Sequence, residues 1–433
     1  MKQDRFTTLI LASIMLGGGS RQYAQQPVQA STPASERRAE LKFVVIVSRH
    51  GVRSPTGKID QLNQFSSQPW PAWSVPPGYL TEHGAKLMKL FGGYERELWI
   101  KQGLLAAEGC ADVEHITILA DSDQRTRETG KAIASGLMPG CNLETHALAE
   151  GTPDPLFHSL AAGAVHPDKQ LATAALAGRI GDNPSGLVEA YRPQLQALEE
   201  VLAGTGTAPK TSLFDIPSSI APGKGDHLVD LRSPLGTAAT MAENLLLEYA
   251  DGMPQVGWGR VDEHKLRELM QLHTANADLE RWTPYIARAQ SAPMLDAIAG
   301  AMQQVVSEKS VAGAPGRKSD RVLILVGHDT NLTNISGALG LSWLIDGRRD
   351  DTPPGGALVF ELWQNGTTSS YSVRLFFTAQ TLDQMRNGTE LNLEDSPERV
   401  PVFIPGCGRS DASCDWNTFQ SLMHVASSSE IPR

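Results

Sequence analysis

Phe43-Val44-Val45-Ile46-Val47-Ser48-Arg49-His50-Gly51-Val52-Arg53-Ser54-Pro55-Thr56 holds a strand and a turn in one run. The Val/Ile-rich first half is short, apolar and bounded by polar residues, which predicts a strand buried on both faces, as in a parallel sheet. The second half breaks into a turn. Gly51 there permits close backbone approach or an unusual φ, and Pro55 stops any return to regular structure. Arg49, His50 and Arg53 therefore arrive together at the carboxyl end of a strand, where open parallel sheets bind ligands. Two guanidiniums are planar forks suited to phosphate oxygens. A histidine between them is kept neutral by their field, and neutral imidazole is a nucleophile that can attack phosphorus. A purely structural Arg-His cluster at the strand end is the alternative.

Two further apolar runs end in the same way. Ile116-Thr117-Ile118-Leu119-Ala120 leads into Asp121-Ser122-Asp123-Gln124-Arg125-Thr126, with a helix expected over Thr126–Leu137. Arg125 is thus a third guanidinium at a strand end, beside helix N–H groups, unless it only pairs with Asp121 or Asp123. Val322-Leu323-Ile324-Leu325-Val326 leads into Gly327-His328-Asp329-Thr330-Asn331, followed by a helix from about Leu332. Taken alone, His328-Asp329 could be an ordinary helix cap. Three buried strands that each end in phosphate-competent residues form a stronger pattern.

Arg49-His50-Gly51-Val52-Arg53-Ser54-Pro55 resembles the signature of the histidine acid phosphatases, a branch of the phosphoglycerate-mutase-like superfamily that includes bacterial periplasmic phytases. His328-Asp329 is similar to the second signature of that family. The resemblance runs over roughly residues 41 to 427. It implies that His50 is the catalytic nucleophile and Asp329 the general acid, with Arg49, Arg53, Arg125 and His328 holding the phosphoryl group. Thr56, Glu243 and His273 fall where relatives place residues near the substrate. It also implies phosphate-monoester hydrolysis through a phosphohistidine, with phytate as the expected substrate. A broad acid phosphatase or a glucose-1-phosphatase is the alternative, and a non-catalytic periplasmic phosphate-binding protein a remoter one. No metal or cofactor is implied, because arginines carry the charge neutralisation. Two departures bear on substrate preference. Many bacterial phytases have Lys directly after the Thr of the first motif, where this chain has Gly57 and then Lys58. Three residues before Glu243, close relatives have Met and this chain has Thr240.

The rest of the chain is consistent with that frame. With 433 residues, one ordinary core is too few, so two domains are expected. Residues 41–150 and 291–433 read as two parts of an α/β domain with a mostly parallel central sheet flanked by helices. Residues 151–290 read as an inserted, mainly helical cap domain: Pro234–Tyr249, Glu263–Leu279 and Tyr285–Met302 have helical spacing, and no convincing strand appears from 166 to 290. A net charge of −10 argues against nucleic acid as a partner. A small-molecule monoester drawn in by a local basic cluster, and a monomer, are expected instead.

Residues 1–30 have the form of a secretory signal. Lys2 and Arg5 precede an apolar stretch from Phe6 to Leu16, too short for a membrane span, so no membrane anchor is expected. Export would place the protein in the periplasm or outside the cell. Cys110, Cys141, Cys407 and Cys414 allow three disulfide pairings, of which sequence proximity favours Cys110–Cys141 and Cys407–Cys414. Similar pairs occur in the bacterial phytases.

Overall fold

The computed structural model describes residues 39–57, 59–205, 211–409 and 411–428. The expected signal sequence over residues 1–30, and Lys58, lie outside the described residues.

The opening stretch forms β1 (Glu40–Arg49), and it runs in the interior of an eight-stranded sheet. On one side β1 pairs in parallel with β6 (Val322–Gly327), which pairs in parallel with β2 (Ile116–Ala120). Beyond β2 lies the short β3 (Thr145–His146), again parallel. On the other side β1 pairs antiparallel with β7 (Ala357–Gln364), which continues into β8 (Tyr371–Ala379) and β9 (Glu398–Pro401). A short β10 (Ser413–Asp415) also pairs with β8. The sheet is mixed, with its parallel strands at the core.

Alternation along the strands explains why both faces are buried. Val44, Ile46, Ile118, Ile324 and Val359 face one way, into a core shared with Met88 and Phe91 of α1 (Glu82–Lys101) and Ile133 and Leu137 of α2 (Gln124–Leu137). Val45, Val47, Leu323, Leu325 and Phe360 face the other way. They meet Met294 and Ile298 of α7 (Pro284–Ser307), Ile335 of α8 (Asp329–Leu339) and Phe419 of α9 (Trp416–Ser427). Thr81 caps α1 through its hydroxyl, which accepts the Gly84 N–H at 2.9 Å.

Between β3 and β6 the chain is mostly helical. The larger elements are α3 (Lys169–Arg179), α4 (Arg192–Ala203), α5 (Pro234–Ala250) and α6 (Glu263–Glu280), around a separate apolar cluster that includes Leu198, Leu235, Leu245 and Leu269. Ser233 caps α5 ahead of Pro234, as the sequence indicates. One element in this region was not foreseen: a hairpin of β4 (Ser219–Pro222) and β5 (Val229–Arg232) around the Pro-Gly-Lys-Gly loop. Its strands have only four residues each, too few to stand out by alternation.

Both expected cysteine pairs are joined, Cys110–Cys141 and Cys407–Cys414. Among the described residues, no helix is long and apolar enough to cross a membrane.

Candidate active site

The parallel core delivers three chain segments to one edge of the sheet. β1 ends at Arg49, and the His50 N–H donates to the Gly327 carbonyl at the end of β6 at 2.9 Å. The Gly355 N–H in turn donates to the His50 carbonyl at 2.9 Å, so the backbone here is held from both sides. Gly51 is required for close approach: a Cβ there would come within 2.7 Å of Met88 Cγ. Its N–H donates to Thr129 Oγ1 on α2 at 3.0 Å.

The His50 ring is buried, and its Nδ1 lies 2.8 Å from the Gly51 carbonyl. A carbonyl only accepts, so Nδ1 carries the proton and Nε2 is left with its lone pair. Burial holds the imidazole well below its usual proton affinity, and Arg125, Arg49, Arg53 and His328 act in the same direction.

The arginines are fixed by carboxylates and carbonyls. Arg49 is buried, donates to the Thr352 carbonyl at 2.5 Å and is bonded to Glu243 of α5. Arg53 Nη2 lies 3.8 Å from the same Glu243 oxygen. Burial lowers the Arg53 guanidinium to about 10, with Glu243 opposing. Arg125 pairs with Asp123 at 2.5 Å, and its Nη2 is 3.4 Å from His328 Nδ1. In each of the three guanidiniums the buried Nε has no partner.

His328 caps α8, its own N–H donating to Asn331 Oδ1 at 2.9 Å, and Asp329 opens the helix. The helix therefore begins three residues earlier than the sequence suggested. Asp329 is bonded to Arg281, which follows α6, and lies 4.0 Å from His273 Nε2. Although burial favours the protonated form, Arg281, Arg49 and His273 hold this carboxyl well below its usual range. His273 Nε2 is also 3.6 Å from the second Glu243 oxygen.

His50, Asp329, Arg49, Arg53, Arg125, His328, Glu243 and His273 are thus brought together. Thr56 is exposed and stands at the rim beside Gly78, where a Cβ would meet Thr56 Cγ2 at 3.3 Å and Arg125 Nη1 at 3.6 Å.

Two groups escaped the sequence. Arg281 sits in a helix-breaking Glu-Arg-Trp-Thr-Pro run with no motif around it, and only the packing of α6 against α8 brings it to Asp329. Of the two aspartates the sequence offers as partners for Arg125, Asp123 takes that place, and Asp121 Oδ2 is 2.7 Å from His328 Nε2 and 3.0 Å from the Nε2 of His158, a residue no pattern distinguished. Asp121, Asp123, His158 and His328 each offer a metal-ligand atom within 4.8 Å of the others. Both Nε2 atoms are aimed at one Asp121 oxygen, so hydrogen bonds join His158, Asp121 and His328, while Asp123 pairs with Arg125.

A cluster of guanidiniums around a neutral imidazole, with a carboxyl group alongside, can bind a phosphoryl group and transfer it to nitrogen. The family model of the histidine phosphatase superfamily (branch 2) matches residues 40–203 and 240–378. Phytase AppA of Escherichia coli is 36% identical over 410 residues, covering 92% of this chain and 94% of its own. A glucose-1-phosphatase of Providencia rettgeri is 28% identical over 414 residues, 92% of this chain and 95% of its own. The solved structure of Hafnia alvei phytase superposes with a TM-score of 0.83 at 36% identity, over 91% of this chain and 98% of that one. With both signature runs meeting at one sheet edge, the chain belongs to the histidine phosphatase superfamily, branch 2.

Proposed function

We propose that the protein is an exported, monomeric phosphomonoesterase acting on phytate through a phosphohistidine at His50. One arrangement supports this above all: an imidazole with Nδ1–H fixed on a carbonyl and Nε2 free, among Arg49, Arg53 and Arg125. Nε2 attacks phosphorus, the bond from phosphorus to the ester oxygen breaks, and Asp329 supplies the proton that the departing alkoxide needs. Water then attacks the phosphohistidine, giving its proton to the Asp329 carboxylate, and inorganic phosphate leaves. Arg49, Arg53, Arg125 and His328 bear the charge of the transferring group.

Phytate is favoured by the likeness to phytases over nearly the whole chain. Glucose 1-phosphate is the second candidate, since Gly57 and Thr240 stand where many phytases have Lys and Met. The helical segment 151–290 would act as a cap domain that contributes Glu243, His273 and Arg281. Two disulfides fit an oxidising compartment.

The test compares turnover of phytate, glucose 1-phosphate and an aryl phosphate by wild type and His50→Ala. Wild type should release phosphate fastest from phytate and, after a denaturing quench, retain acid-labile, base-stable phosphate on the protein. His50→Ala should lose at least roughly 10³-fold in rate and all of the label. A His50→Ala protein that still turns over at more than a small fraction of the wild-type rate would exclude the nucleophile assignment.

A further inference from the structure

His158 lies in the loop after β3, and both of its ring nitrogens face carboxylates. Nδ1 is 2.7 Å from Asp226 Oδ2, in the turn between β4 and β5, and Nε2 is 3.0 Å from Asp121 Oδ2. An ionised carboxylate only accepts, so each nitrogen must carry a proton, and an imidazole with both is an imidazolium. Asp121 is fully buried, and the same Oδ2 accepts His328 Nε2–H at 2.7 Å. The other nitrogen of His328, Nδ1, faces Arg125 Nη2 at 3.4 Å. A guanidinium only donates, so Nδ1 presents a lone pair and His328 is neutral. One carboxylate thus serves two imidazoles whose ring centroids are 5.1 Å apart, the outer one charged and the inner one neutral.

We propose that His158 is a positioning residue for the transfer reaction, holding the charge that balances Asp121 so that His328 stays neutral until an anion enters the pocket. This rests on the phosphatase reading of the site. A phosphoryl oxygen at His328 needs a donor where the Nδ1 lone pair now stands, so binding requires a second proton on His328. A monoanionic ester brings that proton with it, whereas a dianion must take it from water. The positive charge on His158 opposes the second proton, and His158 thereby sets the upper pH at which the pocket grips a phosphoryl group.

Other charged groups face the pair from each packed element. Asp123, at the start of α2, is 3.8 Å from His328 Nε2, and the His50 ring at the end of β1 is 5.6 Å from that of His328. Asp329 adjoins His328 on α8, Asp154 acts on His158 from its own loop, and His227 acts on Asp226 from the β4–β5 turn. Proton affinities point the same way as the hydrogen bonds. The bonds to Asp121 and Asp226 raise His158 to about 10, while burial lowers His328 against the pull of Asp121, with Arg125 and His158 adding to the lowering.

The decisive measurement is the NMR titration of the His328 imidazole, assigned by its loss in His328→Asn. His158→Gln keeps a donor toward Asp121 and removes the charge. It should move the His328 midpoint up by roughly one pH unit, the effect of deleting one like charge at about this separation. Asp226→Asn deletes an anion while Asp121 still holds the proton on His158, so it should shift the midpoint the other way, downward, and by less. The double variant should shift no further than His158→Gln. The alkaline limb of kcat/KM, which reports the free enzyme, should follow. An unmoved or lowered His328 midpoint in folded His158→Gln overturns the proposal. Should that variant not fold, an unmoved midpoint in Asp226→Asn does the same. A wild type without phosphatase turnover would refute the reading of the pocket instead, and the titration would still decide whether His158 governs His328.

Discussion

Glu248 of α5 is 1% exposed, and one carboxyl oxygen accepts the Gly257 N–H at 2.9 Å. Burial raises this group from 4.5 to about 7, with the single backbone N–H opposing. Between those values the folded protein binds a proton that the unfolded chain releases. Stability therefore declines as pH rises through the window, is free of this penalty below about 4.5 and bears it in full above about 7. A shift of this size corresponds to about 3 kcal/mol at the upper end. Gln has the shape of protonated Glu and can keep the Gly257 bond, so Glu248→Gln separates the charge from the contact. Unfolding by urea should give equal stabilities for the two proteins at pH 4.5 and an advantage of about 2–3 kcal/mol for Glu248→Gln at pH 8. If Glu248→Gln were equal or less stable at pH 8, Glu248 would not be a buried carboxyl titrating late, and the reasoning would fail.

Glu95 pushes in the same direction, since burial raises it to about 7 against Arg399. Opposite behaviour is expected at the acid extreme. Glu243, Asp329 and Asp226 are depressed, so their stabilising charge is present above the ordinary carboxylate range and lost as pH falls below it. The protein should be most stable in mildly acidic solution.

Asp329→Asn should slow alkyl phosphate hydrolysis by roughly 10²–10⁴-fold while sparing the burst of nitrophenolate from an aryl ester, whose leaving group needs no proton. Equal losses on both substrates would make Asp329 structural. Replacing both Cys110 and Cys141 by Ser opens a link of sequence separation 31 and should cost about 3–4 kcal/mol of unfolding free energy. The Cys407–Cys414 link, of separation 7, should contribute about 2 kcal/mol. Unchanged denaturation midpoints in both pairs of variants would contradict that account.

What could be read in the sequence depended on whether a residue acts through its neighbours along the chain. Arg49, His50 and Arg53 share one turn, and His328 and Asp329 share one strand end, so backbone geometry alone sends each set to the sheet edge. The two cysteine pairs are close in sequence and needed only proximity. The antiparallel flank is different. In sequence, Ala357–Leu362 and Tyr371–Phe377 read as antiparallel neighbours, but nothing in them says that the first lies beside β1. Arg281, His158 and Asp226 are harder still. Each is a lone polar residue in a loop or at a helix end, and each acquires a role only because α6, the β3 loop and the β4–β5 turn converge on the strand ends. Glu243 and His273 were placed by resemblance, not by pattern, since a buried glutamate in an apolar helix carries no local mark of its partners.

Asp329 poses the sharpest problem for the proposed reaction. Paired with Arg281 and faced by Arg49 and His273, it is a carboxylate and has no proton to give. Two of the neighbouring cations are matched in the same way: Arg49 by Glu243, Arg125 by Asp123. A phosphoryl group brings negative charge to the centre of this set and gives the guanidiniums an alternative partner with tetrahedral oxygens. As Arg281 or Arg49 turns toward it, Asp329 loses stabilising positive charge and gains an anionic neighbour, and both changes raise its affinity for a proton. In the proposed reaction, the groups that keep Asp329 ionised are therefore the groups that substrate engages. The acid becomes able to hold a proton when there is an ester bond within reach, and product departure restores the carboxylate pairing that began the cycle.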